Sequence, residues 1–162
     1  MIIENRASTG HQTFRKTLLV TLLTCMAMMT NLAWADGTNP MVVMKTTDGD
    51  ITIELFADKS PITVENFLRY ADEGHFDGTV FHRVIPNFMI QGGGFTEKLE
   101  EKPTHAPIVN ESRNKLHNTR GTLAMARTSD PDSATAQFFI NQRSNLRLDW
   151  SPGKDGYTVF GE

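Results

Sequence analysis

Cysteine is almost absent from this chain: Cys25 is the only one in 162 residues, and it lies in an N-terminal stretch unlike the rest. The sequence after it can form no disulfide and offers no thiolate nucleophile. Nor is there an excess of positive charge. Sixteen Lys and Arg stand against 19 Asp and Glu, a formal net charge of −3. That balance argues against a dedicated nucleic-acid binder, which carries a basic stripe. The apolar run at residues 18–29 is too short for a comfortable membrane span, which needs about 20 residues. Metal-ligand spacing is missing too, because His75, His105 and His117 do not pair at such intervals with carboxylates or with each other. Gly92-Gly93-Gly94 lacks the spacing and the Lys-Ser/Thr of a phosphate loop and reads as a bend leaving a strand. Ser133 and Thr135 have no paired base, so hydrolase chemistry has no support.

What remains is ordinary globular composition, 39% hydrophobic and 22% charged, enough for one domain with one core. Residues 1–35 stand apart. Arg6, Arg15 and Lys16 make a positive leader, residues 18–29 are nearly all apolar, and Ala33-Trp34-Ala35 gives a small-x-small site before Asp36. This is the anatomy of a secretory signal peptide; an uncleaved N-terminal anchor is the alternative reading of the same residues. Cleavage after Ala35 removes three basic residues, one acidic residue (Glu4) and Cys25, leaving residues 36–162 more acidic and free of cysteine.

Residues 36–40 read as a short lead. Residues 41–47 and 50–56 flank Asp48-Gly49, a hairpin signal, and Ile51, Ile53 and Leu55 alternate with polar residues. Phe56 falls on the wet face of that strand. Ser60-Pro61 opens a helix, with serine as N-cap and proline at the first helical position. Val64, Phe67, Leu68 and Ala71 form its apolar stripe, and Gly74 stops it. Short strand-like runs follow at residues 79–85, 88–92, 122–127, 136–141 and 157–160. Many short strands with one good helix suggest an antiparallel sheet closed on itself or nearly so, with helix over an open end.

The most telling stretch is Phe81-His82-Arg83-Val84-Ile85-Pro86-Asn87-Phe88-Met89-Ile90-Gln91-Gly92-Gly93-Gly94. It sets one permanent cation, Arg83, and one amide, Gln91, among large apolar residues. A guanidinium offers five donors in a rigid fork at any working pH. Held against an apolar surface, it suits a site that grips a neutral, partly apolar ligand and polarises one atom of it. His82 neighbours Arg83 on a strand, faces the opposite side and reads as structural.

This stretch and four other motifs together resemble the cyclophilin family of peptidyl-prolyl cis–trans isomerases. Ahead of it comes Ser60-Pro61-Ile62-Thr63-Val64-Glu65-Asn66-Phe67. After it come Asn118-Thr119-Arg120-Gly121-Thr122-Leu123-Ala124-Met125-Ala126-Arg127, Ala136-Gln137-Phe138-Phe139-Ile140-Asn141 and Tyr157-Thr158-Val159-Phe160-Gly161. With the leader, the chain looks like a periplasmic bacterial member. The resemblance implies a mainly β fold, a closed antiparallel eight-stranded barrel with capping helices, over residues 36–162. It also implies a second helix and a last strand after Phe160-Gly161, which this sequence does not contain.

For function, the resemblance implies isomerisation of Xaa–Pro bonds without a cofactor or metal, in exported polypeptides that contain proline and are still folding. A peptide-binding module that uses the same groove without turnover is the rival reading. Arg83 aligns with the family's catalytic arginine and Gln91 with the amide that anchors a substrate carbonyl. Phe88, Met89 and Phe139 align with the pocket for the proline ring, and Leu148 with its rim. Ala126 and Arg127 align with the segment that grips the peptide before proline, and Gln137 with a polar residue near that groove. Arg147 stands where many members carry tryptophan, and Tyr157 where they carry histidine. The lost indole implies weak cyclosporin binding, and the tyrosine can still offer a donor and an apolar ring. A monomer is the family's usual state, and no nucleic acid or stable membrane association is implied.

Overall fold

The computed structural model describes residues 1–5 and 39–162. Most of the expected signal peptide, residues 6–35, and residues 36–38 lie outside the described residues. Among those described, no helix is long and apolar enough to cross a membrane.

Among the described residues, eight short strands and one α-helix make up the fold. Strands β1 (Ile2–Asn5), β2 (Met41–Thr46) and β3 (Gly49–Glu54) form one antiparallel sheet. Strands β4 (Arg83–Ile85), β5 (Met89–Gly92), β6 (Leu123–Met125), β7 (Phe138–Asn141) and β8 (Val159–Gly161) form a second, ordered β4-β5-β7-β6-β8 and antiparallel throughout. The sheets are joined where β3 meets β8. Glu54 and Glu162 exchange N–H···O bonds of 2.8 and 3.0 Å, and the Phe56 N–H donates to the Phe160 carbonyl at 2.8 Å. The result is one continuous antiparallel order from β1 to β4, mainly β as expected from the sequence, although β1 is made by residues that the sequence reads as part of the leader. Its two outer edges, β1 and β4, carry no ladder to each other among the described residues.

The hairpin turn between β2 and β3 sits one residue earlier than the sequence suggests. Thr46 pairs with Gly49, so the two-residue loop is Thr47-Asp48 and Gly49 already opens β3. The Thr46 hydroxyl closes the turn by donating to the Gly49 carbonyl at 2.7 Å. Several strands are shorter than their apolar runs. Residues 79–82 leave the ladder and make only isolated pairings, such as Val80 N–H to the Phe95 carbonyl. Phe88 sits in the turn before β5, and Tyr157 precedes β8.

Helix α1 (Pro61–Asp72) carries the expected stripe, with Val64, Phe67, Leu68 and Ala71 all buried. Its capping differs from expectation. The Ser60 side chain makes no cap hydrogen bond; its hydroxyl donates instead to the Val159 carbonyl at 2.8 Å. The helix start is capped by Glu111, whose carboxylate accepts from the Ile62 N–H at 3.2 Å and from the Thr63 N–H at 2.8 Å. A carboxylate there answers both the unpaired N–H groups and the positive end of the helix dipole. Gly74 follows the helix with φ 67° and donates to the Ala71 carbonyl, the left-handed stop that glycine adopts without strain.

Alternation along the second sheet creates two apolar layers. On one face Leu123, Met125, Phe138 and Phe160 join the main core with α1. Phe67 of the helix sits 5.1 to 5.6 Å from the rings of Phe76, Phe138 and Phe160. On the other face Met89, Ala124, Phe139 and Val159 form a smaller cluster, with Phe88, Ala126, Leu148 and Tyr157 packed around it. Phe56, expected on the wet face, is half-buried against this second cluster, because the chain crosses to β8 at that point.

Phe138 is fully buried at the centre of these rings. Phe138→Ala should therefore cost about 3–5 kcal/mol, whereas Val84→Ala, on an exposed position of β4, should stay within about 0.5 kcal/mol. Urea unfolding midpoints of the two variants check this contrast.

Candidate active site

The second, smaller apolar layer is the floor of a groove. Cross-strand register puts Arg83 opposite Gln91, Gln91 opposite Phe139, and Phe139 opposite Ala124. Directly opposed residues share a face of a sheet, so a cation, an amide and an aromatic ring stand in one row over that layer. Two residues along the same strands, Met89 and Ala126 join the same face. The groove has a volume of about 160 Å³ and is lined by Arg83, Phe88, Met89, Gln91, Ala126, Arg127, Phe139, Leu148 and Tyr157.

Each of these nine residues is one the sequence points to, and the structure brings them to one place. Gln137, the tenth, stands just behind: its side-chain oxygen accepts from Gln91 Nε2 at 2.9 Å. Gly94 leaves room for it, since a Cβ at that position would lie 2.5 Å from Gln137 Cγ.

The groove's two arginines are in different states. Arg83 is exposed and makes one long contact, Nη1 to Gln91 Oε1 at 3.4 Å. That distance is well beyond a strong hydrogen bond, so most of its fork faces the groove unspent. Arg127 is committed. Its Nε donates to the Gly156 carbonyl at 3.2 Å, Nη1 to Thr128 at 2.9 Å and Nη2 to Asp155 at 2.8 Å. Its guanidinium also lies 4.6 Å over the Tyr157 ring. Arg127 thus holds the 155–157 segment, and with it Tyr157, edge-on to Phe139 at 5.7 Å.

His82 points away from the groove as alternation requires, with its ring 4.6 Å from Phe95. Burial holds its imidazole below the usual value, and the Arg83 charge next door acts in the same direction. A neutral ring behind Arg83 adds no competing charge. Among the described residues no three His, Cys, Asp or Glu side chains form a metal-binding cluster.

The rim is set by parts the sequence did not flag. Asn145 Nδ2 donates to the Phe88 carbonyl at 2.8 Å and to Asn141 Oδ1 at 2.8 Å. Asn141 Nδ2 donates to Asn118 Oδ1 at 3.2 Å, and Asn118 Nδ2 to Asp149 Oδ1 at 2.9 Å. This buried chain of amides ties the turn carrying Phe88 to the short 3₁₀ helix Leu146–Leu148. No local pattern marks scattered asparagines as one network. The only hint was that Asn118 and Asn141 bound the quoted motifs.

Asp149 ends that network. Burial works against its charge. Hydrogen bonds from the Asn118 N–H at 2.7 Å, from Asn118 Nδ2 and from His117 Nδ1 at 2.8 Å outweigh burial, and its carboxyl lies below the ordinary 3.8. A carboxyl lowered on folding stabilises the fold above its unfolded value and loses that contribution as pH falls toward the folded value. Asp149→Asn should thus carry its largest stability penalty at neutral pH, and the penalty should shrink below about pH 4. Denaturant midpoints of both proteins across that range test it; a penalty independent of pH overturns it.

Comparison with known proteins places this geometry. Residues 41–162 match the family described as cyclophilin type peptidyl-prolyl cis-trans isomerase/CLD. The chain is 60% identical over 124 residues to a peptidyl-prolyl cis-trans isomerase of Acinetobacter baylyi, covering 76% of this chain and 66% of that protein's length. It is 45% identical over 148 residues to peptidyl-prolyl cis-trans isomerase A of Dickeya dadantii, covering 91% of this chain and 78% of that protein. A crystal structure of a Cryptosporidium parvum cyclophilin type peptidyl-prolyl cis-trans isomerase, solved in the presence of the dipeptide Ala-Pro, matches with TM-score 0.63 and 30% identity, over 75% of this chain and 77% of that one. An unspent arginine above an apolar floor, on an antiparallel fold shared with these proteins, leads to one conclusion: the chain belongs to the cyclophilin-type peptidyl-prolyl cis–trans isomerase family.

Proposed function

We propose that the groove accelerates rotation about Xaa–Pro bonds in polypeptides that fold after export, with Arg83 as the group that acts on the turning bond. One observation carries this reading: register places the Arg83 guanidinium in the same row as Gln91 and Phe139, over an apolar floor.

The chemistry requires no covalent step. Resonance between nitrogen lone pair and carbonyl sets a barrier of roughly 18–20 kcal/mol. A catalyst needs to bind the twisted state better than either planar one. In that state the imide nitrogen is pyramidal and can accept a hydrogen bond, which planar proline nitrogen does not. A volume near 160 Å³ is of the order of the cavity, about 150 Å³, that takes up a benzene ring, so a pyrrolidine ring fits between Met89, Phe139 and Leu148. Gln91, steadied by Gln137, offers an amide to a substrate carbonyl. Lowering the barrier by about 6–7 kcal/mol corresponds to roughly 10⁵-fold in rate. A charge-assisted bond to the pyramidal nitrogen supplies part of this, and positioning supplies the rest.

Export rests on the leader: a positive stretch, an apolar run at residues 18–29 and a small-x-small site before Asp36. The proposed site of action is the periplasm, with unfolded or partly folded proline-containing chains as substrates. Arg147 in place of an indole supports weak cyclosporin binding.

Arg83→Ala should reduce kcat/KM on a short Xaa–Pro peptide by about 10²–10³-fold, the usual loss when one such donor is removed, while peptide affinity changes far less. An unchanged rate sinks the proposal, and retained affinity without any wild-type rate enhancement supports a holdase instead. Gly94→Ala displaces Gln137, a flexible side chain, and so frees Gln91. It should lower kcat/KM by about three- to tenfold, the scale of one misplaced hydrogen bond, with the thermal midpoint little changed.

A further inference from the structure

Beyond Phe88 lies a second depression, of about 290 Å³, lined by Asn87, Arg143, Ser144, Asn145, Leu146 and Arg147. We infer that it is a subsite for an acidic side chain of the polypeptide substrate, recognised by Arg143 and Arg147. This rests on the proposed reading of the groove, since the same polypeptide would occupy both.

The depression neighbours the groove across one ring. Phe88 lines the groove, and the Arg147 guanidinium stacks on that ring, 4.8 Å from its centroid. A peptide whose proline rests on the groove floor therefore brings a flanking residue to Arg147. Stacking also limits the freedom of the guanidinium, so less is lost when it pairs with a carboxylate.

The walls are built rather than loose. The Phe88 carbonyl accepts from the Gln142 N–H at 3.0 Å and from Asn145 Nδ2 at 2.8 Å. The Leu148 N–H donates to the Asn145 carbonyl at 2.8 Å. Both arginines are thus carried on backbone fixed to the β4–β5 turn.

Charge points to the occupant. Residues lining the two depressions include four arginines and no carboxylate, in a chain whose formal net charge is −3. Among the described residues neither Arg143 nor Arg147 makes an ion pair. The nearby carboxylate of Asp149 is spent on Asn118 and His117. A third cation stands behind, since Lys154 Nζ donates to the Arg147 carbonyl. Such a cluster attracts a carboxylate and repels lysine or arginine at the same substrate position.

The test uses the full chain and three matched peptide series, each holding one Xaa–Pro bond and either Glu, Gln or Lys at one of the three positions on each side of it. Affinity by fluorescence anisotropy reads the subsite, and kcat/KM of the Gln series reads the isomerase activity separately. At one position Glu should bind about three- to tenfold tighter than Gln, the scale of an exposed pair of charge contacts, and Lys more weakly than either. The preference should fade between about 0.05 and 0.5 M salt, as the screening length shortens. Arg143→Gln should remove part of it, and Arg143→Gln with Arg147→Gln should bring Glu and Gln to parity, with the thermal midpoint confirming that the double variant folds. No preference for Glu at any position, or a preference that survives in the double variant, overturns the inference even if the Gln peptides turn over normally. Loss of turnover with the preference intact strikes the isomerase reading alone.

Discussion

Strand β7 serves both faces of its sheet, and the rest of the molecule is arranged around that constraint. Phe138 turns into the main core and Phe139 into the groove floor. Between its neighbours β5 and β6, this strand cannot slip by one residue without exchanging the two rings, because side chains alternate with period two. Core packing around Phe138 therefore holds the register that sets Gln91 opposite Phe139 and Arg83 opposite Gln91. The free energy that folds the domain also aligns the site, and a separate device for orienting Arg83 is not needed.

The rim is held by a different kind of force. Asn118, Asn141 and Asn145 are all nearly inaccessible to water, and burying amides costs stability unless each is paired. Here each hands a hydrogen bond to the next, ending on the Asp149 carboxylate. A chain of this kind stiffens what it joins, since breaking one link strands a buried polar group. It ties the turn at Phe88 to the 3₁₀ helix at Leu148, the two sides between which a proline ring would sit. The apolar floor supplies adhesion without direction, and the amides fix the width.

Legibility in the sequence followed the range of the interaction. Helix α1 and its stripe come from spacing of three and four residues, and the two faces of β7 from spacing of two. Both are visible in a short window. The residues that line the groove, Leu148 apart, lie in motifs that are themselves short and ordered. What could not be read joins residues far apart in the chain. Glu111 caps a helix that begins about fifty residues earlier, and this frees Ser60 for the Val159 carbonyl. The commitment of Arg127 to carbonyls at 155 and 156 depends on how a distant loop folds back. Strands end short of their apolar runs for a similar reason. Apolar residues such as Phe88 and Tyr157 are drawn to the groove cluster from turn and loop positions, so an apolar run outlasts the ladder it belongs to.

The arginines show how one residue type takes opposite tasks on a single surface. A guanidinium whose three nitrogens each donate to a carbonyl oxygen, as in Arg127, is a brace, with less left to offer a ligand. Arg83 and Arg147 carry the same charge with most donors free: one beside an amide at the centre of the groove, the other stacked on a ring at its end. Carboxylates placed near them would strengthen the fold slightly and neutralise the surface. The nearby carboxylate of Asp149 is instead turned to Asn118 and His117. An isomerase that works on a transient twist gains from cations that have no partner until substrate arrives, because a contact already satisfied in the free protein cannot contribute when the bond turns. On the mechanism proposed for Arg83, a fork left unpaired in the free protein is what the chemistry asks for.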